Sequence, residues 1–398
     1  MTTTLRPGSP EEAGMLPERV RYARDLCARW AHEGHTPALC VCVARRGVIV
    51  LHEAWGVLGP EAGAPLLERD SIFPIMSLTK PITAALVLQL VEDGLLGLNR
   101  PAKDYLPEIS GDGDDILVHH LLTHTSGYPW EPFFSEHAVR KREAGFELPP
   151  CPESQHPTIH ELLSLFWDFP RVAPVGEVMI YSPQNYHLLG EIVRRLAGRS
   201  LEAQARQRIF DPLGMGDTYF VVPGSVSGRV VQRAADVPFG NPYNPIGVSI
   251  GTREWQERPD AQAGVFSTPL DMTAFGQMIL NRGRYGAARI LSPATVAAMT
   301  RDQIPGIKAR FFDKLVAHAS WGYGWAIESP SKWPYFHGSL AALGTLAHPG
   351  SGGVMFWIDP AHELVGAYFE VTARLTERFE PLWSFDLFQN VITAAIEN

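Results

Sequence analysis

Residues 38–54 read Ala-Leu-Cys-Val-Cys-Val-Ala-Arg-Arg-Gly-Val-Ile-Val-Leu-His-Glu-Ala and predict two paired β-strands. The apolar run 38–44 and the returning run 48–54 have the β-prone composition of strands. Between them, Arg45-Arg46-Gly47 is typical of a turn. The stretch therefore predicts an antiparallel hairpin near the start of the chain.

A second hairpin is predicted near the opposite end. Its strands lie at residues 354–358 and 364–371, and residues 359–362 form the turn between them. Strands near both ends of the chain predict one antiparallel sheet to which both ends contribute.

Helices are predicted before, between and after the two hairpins. Apolar periodicity and capping signals predict helices at residues 17–30, 81–93, 183–197, 267–281 and 383–396. Ser182 supplies a capping hydroxyl ahead of Pro183, while Gly94 and Gly198 end the helices that precede them. The segment 128–157, rich in proline, glutamate and aromatic residues, is predicted to be a long ordered loop.

Together these elements predict an α+β fold. An antiparallel β-sheet is flanked by helices, and an all-helical region is inserted between its two halves. Residues 1–75 and 255–398 would form the sheet domain, and residues 76–254 the mainly helical inserted domain.

The composition excludes several classes of protein. The 398 residues are 45% hydrophobic and 19% charged, which argues against intrinsic disorder. A net charge of −9 argues against a non-specific nucleic-acid or anionic-membrane surface. No apolar run is long enough for a transmembrane helix, the first ten residues lack a signal-peptide core, and four scattered cysteines make no disulfide framework. We expect a soluble, cytoplasmic protein without nucleic-acid or membrane partners.

Ser77-Leu-Thr-Lys80 has the spacing of a nucleophile and its base. On a helix, residues i and i+3 lie on one face, so the two side chains come within reach of each other. A serine hydroxyl needs a neighbouring base, and a lysine can serve where apolar surroundings lower its pKa. The residues around Ser77 are mostly apolar and lead into an uninterrupted helix. A serine and a lysine on the surface of an amphipathic helix would fit the same spacing.

Two other motifs compete for the role of nucleophile. Ser329-Pro-Ser-Lys332 has the same spacing as the first, but its flanking prolines disfavour a helix. Gly247-Val-Ser249-Ile-Gly251 matches the G-x-S-x-G elbow, which requires a strand before it and a helix after it. No strand leads into Ser249, and an alternating βα pattern is missing. Both motifs therefore rank below Ser77.

A zinc site is the third alternative. His120 and His124 are one helical turn apart, but no glutamate between them matches the H-E-x-x-H pattern. Structural hydrogen bonding near a helix end accounts for such histidines equally well, and we expect no metal.

Two more segments carry groups of interest. Tyr181 immediately precedes a predicted helix, whose N-terminal partial charge favours a phenolate that could act as a general base. Residues 347–353 include three glycines that would let a substrate approach the backbone and leave an N–H free as an oxyanion donor. A core tyrosine and an ordinary glycine turn are the alternatives.

Ser77-Leu-Thr-Lys80, Tyr181-Ser182-Pro183 and His348-Pro349-Gly350 occur in the order and approximate spacing of the serine β-lactamase-like superfamily. Over roughly residues 15–370, the chain most resembles the class C β-lactamase-related esterases, the family VIII carboxylesterases. Four further segments fit that resemblance, at residues 120–127, 211–215, 264–272 and 357–360.

The resemblance implies an antiparallel sheet, an inserted helical region and an active site between them. It implies that Ser77 is the acylated nucleophile, Lys80 its basic partner and Tyr181 the base for attack and deacylation. The backbone N–H groups of Ser77 and Ser351 would form the oxyanion hole. The neighbouring His348 and Gly350 would take part in substrate binding.

The chain departs from its relatives at two positions. Pro183 stands where many relatives carry an asparagine that contacts the amide of the substrate, and Asn185, two positions further on, points to a different helix face. His348 stands where β-lactamases carry a lysine, and an imidazole is mostly neutral at pH 7. Both departures favour uncharged esters over β-lactams.

Four aromatic residues would line an apolar acyl pocket, although loop packing explains them equally well: Tyr128, Trp130, Phe133 and Phe134.

These observations predict a cofactor-free serine hydrolase that acts through an acyl-enzyme on small or medium carboxylic esters. One alternative is an amide-directed relative, such as a D-aminopeptidase, a DD-peptidase or a weak β-lactamase. An acyltransferase also stays open, whereas an intact Ser77, Lys80 and Tyr181 argue against a non-catalytic acyl-binding protein. The expected partner is a small-molecule ester, and assembly into a homo-oligomer stays open.

Overall fold

The computed structural model describes residues 2–109, 116–129, 133–233, 252–311, 314–331, 336–372 and 383–397. Its strands are β1 (Arg6–Pro7), β2 (Ala38–Arg45), β3 (Val48–Gly56), β4 (Phe73–Pro74), β5 (Val178–Ile180), β6 (Phe266–Ser267), β7 (Arg284–Tyr285), β8 (Ala288–Arg289), β9 (Lys308–Phe311), β10 (Lys314–Val316), β11 (Ala326–Ile327), β12 (Leu346–Gly350), β13 (Val354–Asp359) and β14 (Leu364–Glu370). Its α-helices are α1 (Pro17–His32), α2 (Thr79–Glu92), α3 (Val118–Leu122), α4 (Phe133–Glu143), α5 (Pro157–Phe166), α6 (Pro183–Ala197), α7 (Leu201–Ala205), α8 (Asp211–Leu213), α9 (Arg253–Glu257), α10 (Pro269–Leu280), α11 (Pro293–Thr300) and α12 (Trp383–Thr393).

A seven-stranded sheet in the order β1-β3-β2-β14-β13-β12-β11 forms the centre of the molecule. Strand β2 pairs antiparallel with both β3 and β14, so the two predicted hairpins join edge to edge. In the described part of this sheet, only the two-residue strand β1 runs parallel to its neighbour. The predicted α+β fold, with one sheet built from both ends of the chain, is confirmed.

The first hairpin turns over two residues with left-handed backbone. Arg46 has φ +52° and Gly47 has φ +79°, the combination required by a type I′ turn. A Cβ atom on Gly47 would lie 2.2 Å from Cγ2 of Thr3. Glycine is therefore needed at this position for space as well as for backbone conformation.

Both faces of the sheet are covered by helices. Alternate residues of β2 point to opposite sides, so Leu39 and Val41 pack with α1 and α12, while Cys40 and Cys42 pack with α2 and α10. This two-sided burial explains why the sequence of β2 is apolar at nearly every position.

The structure corrects the predicted loop at residues 128–157, because α4 lies within it. The prolines of this segment flank α4, whose own residues are mostly helix formers. The average composition of residues 128–157 is rich in proline, but residues 133–148, which contain α4, have none. A second, three-stranded sheet, in which β9 lies between β5 and β10, was also not predicted.

The division into a sheet domain (1–75 and 255–398) and a helical domain (76–254) stays a prediction. Among the described residues, no helix combines the length and apolar character that crossing a bilayer requires.

A buried carboxyl group at the end of β14 predicts a pH dependence of stability. Glu370 is 5% exposed and accepts a hydrogen bond from the Tyr368 hydroxyl (2.8 Å). Burial raises its pKa from 4.5 to about 7. The folded chain therefore binds this proton more tightly than the unfolded chain does. The resulting stabilisation is present below pH 4.5 and is lost as the pH rises through about 7.

We expect Glu370→Gln to flatten the pH profile of the unfolding free energy between pH 4.5 and 8 by up to about 3 kcal/mol. Urea denaturation at intervals of half a pH unit measures this, with exposed Glu147→Gln as the matched control. A Glu370→Gln profile as steep as that of the wild type would contradict the expectation.

Candidate active site

Ser77 lies in a tight turn at the start of α2. Residues Met76–Leu78 form one 3₁₀ turn that continues directly into α2. Met76 has φ +50°, a left-handed conformation that side-chain-bearing residues seldom adopt. Met76 and Leu78 are buried, whereas Ser77 is partly exposed. The turn therefore leaves Ser77 partly exposed at the N-terminal end of a buried helix.

Lys80 is fully buried one helical turn further on. Its Nζ atom donates a hydrogen bond to Ser77 Oγ (3.0 Å), as the i, i+3 spacing predicts. Nζ also donates to the backbone oxygen (3.0 Å) and to Oε1 (3.2 Å) of Gln262. The structure thus brings the candidate nucleophile and its basic partner into direct contact.

Tyr181 completes the cluster from the segment between β5 and α6. It is 4% exposed, and Lys80 Nζ lies 4.8 Å from the centre of its ring. Burial raises the pKa of Tyr181 above 10, although a hydrogen bond with Ser77 opposes that rise. The neutral phenol is therefore the resting form at neutral pH. This differs from the expectation that the N-terminus of α6 favours a phenolate.

His348 lies on β12, with its ring centre 6.1 Å from that of Tyr181. It is fully buried, and its Nδ1 donates to the backbone oxygen of Pro349 (2.8 Å). Burial, with the nearby Lys80, lowers the pKa of His348 from 6.5 to about 3. The imidazole is therefore neutral at pH 7, as expected, and carries no charge for a substrate carboxylate.

Strand β12 ends against the turn that carries Ser77. A Cβ atom on Gly350 would lie 2.1 Å from the backbone oxygen of Ile75, so only glycine lets the two segments approach this closely. The next residue, Ser351, is partly exposed. The oxyanion role of the Ser77 and Ser351 N–H groups stays a prediction that this arrangement allows.

The predicted acyl pocket is described only in part. Tyr128 is 3% exposed and stacks on Phe169, with ring centres 6.1 Å apart. Trp130 lies outside the described residues. Phe133 and Phe134 are the first residues of α4, and their side chains also lie outside the described part of the chain. Packing within the core accounts for Tyr128, while the pocket itself stays a prediction.

The two other serine motifs and the histidine pair do not form competing sites among the described residues. Ser249 and Lys332 lie outside the described residues. His120 Nδ1 accepts the Leu117 N–H (3.1 Å), and His124 Nδ1 accepts the Ser182 N–H (3.1 Å). Among the described residues, no three His, Cys, Asp or Glu side chains are grouped to hold a metal ion.

The structure corrects the predicted cap of α6. The Ser182 side chain makes no capping hydrogen bond, and its Oγ is buried without a partner among the described residues. Pro183 is the first residue of the helix, as predicted.

Asn185 is fully buried: its Oδ1 accepts a hydrogen bond from Ser126 Oγ (2.6 Å), and its Nδ2 donates one to His124 Nδ1 (3.1 Å). Both contacts are with other residues of the protein.

Sequence reasoning missed two residues that surround the cluster. Gln262 binds Lys80 from 182 positions away, partly through its backbone, which no side-chain pattern reveals. The ring of Trp321 lies 6.0 Å from that of Tyr181 and 5.7 Å from those of His124 and His348. No local motif marked Trp321, because only the folded chain brings it to the site.

The chain matches known proteins over most of its length. It is 28% identical over 333 residues to an uncharacterized protein of Mycobacterium tuberculosis, covering 77% of this chain and 79% of that one. It is 25% identical over 388 residues to a protein of Salmonella schwarzengrund provisionally named a D-alanyl-D-alanine carboxypeptidase, covering 90% of this chain and 84% of the relative.

Among solved structures, a family VIII carboxylesterase superimposes with a TM-score of 0.74 at 19% identity. The match covers 96% of this chain and 99% of the esterase, so the two share a fold. The family model described as Beta-lactamase matches residues 21–386. The chain therefore belongs to the Beta-lactamase family.

Proposed function

We propose that this chain is a serine hydrolase that forms an acyl-enzyme on Ser77 and cleaves small or medium, uncharged carboxylic esters. The observation that carries the proposal is the 3.0 Å contact between Ser77 Oγ and Lys80 Nζ. A partly exposed hydroxyl in direct contact with a buried amine is the arrangement that activates a serine nucleophile.

The proposed reaction begins with proton transfer from Ser77 Oγ to the neutral amine of Lys80. Oγ then forms a bond to the ester carbonyl carbon, and the Ser77 and Ser351 N–H groups hold the negative carbonyl oxygen. The C–O bond to the alcohol breaks as the Tyr181 hydroxyl gives it a proton, which Tyr181 recovers from Lys80. Water attacks the acyl-enzyme by the same route and releases the acid.

The preference for uncharged esters is supported by two side chains. Pro183 offers no donor or acceptor to a substrate amide. His348, with a pKa of about 3, offers no charge to a carboxylate. If each missing contact is worth ~1.4 kcal/mol, β-lactams lose on the order of 10² in kcat/KM.

We expect efficient hydrolysis of short-chain p-nitrophenyl esters and at least ~10²-fold lower kcat/KM for nitrocefin. Initial rates over esters of increasing chain length, with nitrocefin and D-alanyl-p-nitroanilide in parallel, measure this. His348→Lys combined with Pro183→Asn should move the ratio towards nitrocefin. Nitrocefin turnover comparable to that of the best ester would contradict the ester preference.

An amide substrate is the second candidate. The name of the Salmonella relative favours it, since that protein is provisionally named a D-alanyl-D-alanine carboxypeptidase. Turnover of D-alanyl-p-nitroanilide above that of every ester would select it.

Adding a primary alcohol to the ester assay tests acyl transfer, because a transferase would release a new ester in place of the free acid. Cytoplasmic location and self-assembly stay predictions.

A further inference from the structure

We propose that His124 is a positioning residue that holds Tyr181 against Lys80 and Ser77. The inference rests on the proposed function, in which the Tyr181 hydroxyl transfers protons. His124 is fully buried just beyond the end of α3 and has φ +58°, a conformation that is uncommon for histidine. Such strained backbone persists only where the surroundings enforce it.

His124 binds the chain on both sides of Tyr181. The Ile180 N–H donates to the backbone oxygen of His124 (2.8 Å). The Ser182 N–H donates to Nδ1 of the same residue (3.1 Å). One histidine thus fixes the residue before Tyr181 and the residue after it.

The imidazole also contacts the Tyr181 ring directly. The two ring centres are 4.5 Å apart, and the planes are inclined by 33°. Lys80 Nζ also lies over the Tyr181 ring, 4.8 Å from its centre. The phenol is therefore in contact with the His124 imidazole and the Lys80 amino group, and its two backbone neighbours are anchored to His124.

The hydrogen bonds define the protonation state that this role requires. Nδ1 accepts from the Ser182 N–H and from Asn185 Nδ2, so the ring proton resides on Nε2. Asn185 is itself fixed by Ser126. Burial, with nearby Lys80 and His348, lowers the pKa of His124 well below 6.5, in agreement with a neutral ring.

Two substitutions separate the hydrogen bond from the backbone strain. Both His124→Asn and His124→Gly tolerate the left-handed conformation, but only asparagine provides an acceptor near the position of Nδ1. We expect His124→Gly to lower kcat for a p-nitrophenyl ester 10- to 100-fold with KM changed less than about threefold, because small displacements of a catalytic group are costly. His124→Asn should recover most of the loss. His120→Asn, which removes the histidine that binds the Leu117 N–H, is the matched control and should stay within about twofold of wild type.

A double-mutant cycle with Tyr181→Phe tests whether His124 acts through Tyr181. If it does, His124→Gly has little further effect on kcat in the Tyr181→Phe background. Equal losses in both backgrounds, or no rescue by asparagine, would overturn the proposal.

A spectroscopic measurement keeps this test independent of the ester assay. In 3-fluorotyrosine-labelled protein, the ¹⁹F resonance of Tyr181, assigned by its absence in Tyr181→Phe, should be one sharp line. We expect the line to broaden or split in folded His124→Gly and to stay sharp in His124→Asn. An unchanged line in both variants overturns the positioning role, whereas an inactive wild type that shows the expected lines overturns only the proposed function.

Discussion

Ser77→Ala is expected to lower kcat for ester hydrolysis by on the order of 10⁴ to 10⁶, the scale on which serine hydrolases lose activity without their nucleophile. The hydroxyl is partly exposed, and Lys80 Nζ lies 3.0 Å from it. Among the described serines, Ser77 is the candidate with a lysine partner at the start of a helix. Without its hydroxyl, the residual turnover should come only from substrate binding and stabilisation of the oxyanion. Rates with a p-nitrophenyl ester and active-site titration measure the loss.

Covalent labelling provides the control for this assignment. A fluorophosphonate probe should modify Ser77 alone, as peptide mapping by mass spectrometry would show. Ser249→Ala and Ser329→Ala should be labelled as fast as the wild type, and Ser77→Ala should not be labelled. A modified peptide containing Ser249 or Ser329 would overturn the choice of nucleophile.

Lys80→Ala and Lys80→Arg are both expected to lower kcat at least ~10³-fold. Arginine keeps the positive charge, but its guanidinium cannot release a proton near neutral pH and therefore cannot accept one from Ser77. The fully buried position also leaves little room for the larger group. Steady-state rates and the rate of fluorophosphonate labelling should fall together.

Two variants guard against a simple folding defect. Lys80→Met preserves the length of the side chain without the amine, and it should be as inactive as Lys80→Ala while keeping the melting temperature closer to that of the wild type. Lys103→Arg, in a partly exposed turn, makes the same chemical change away from the site and should leave the rates unaltered. An active Lys80→Arg enzyme would mean that Lys80 is only an electrostatic anchor.

The elements that were predicted correctly have strong local signals. The turn within Arg45-Arg46-Gly47 and the start of α6 at Pro183 each depend on residues adjacent in sequence. By contrast, β5 spans three residues and pairs with a strand about 130 positions later. Three residues cannot display a period of two, so local periodicity could not reveal this strand.

The candidate site divides in the same way. Ser77 and Lys80 are neighbours on one turn, so spacing alone predicted their contact. Tyr181 and His348 were predicted through a resemblance, because only the fold brings them near Lys80. For His124, the sequence offered a metal ligand or a local hydrogen bond. It also contacts residues 180 to 182, which no spacing rule connects to it.

The pairing of β2 with β14 governs how the chain folds during synthesis. About 320 residues separate these neighbouring strands, so β2 has no partner on that edge until those residues have been made. At 5–20 residues per second, the ribosome takes roughly 15 to 60 s to supply β14. During that interval an apolar strand, destined for burial on both faces, presents an open edge that invites aggregation. We therefore expect slow folding, because long loops must close before the sheet gains its central pairing.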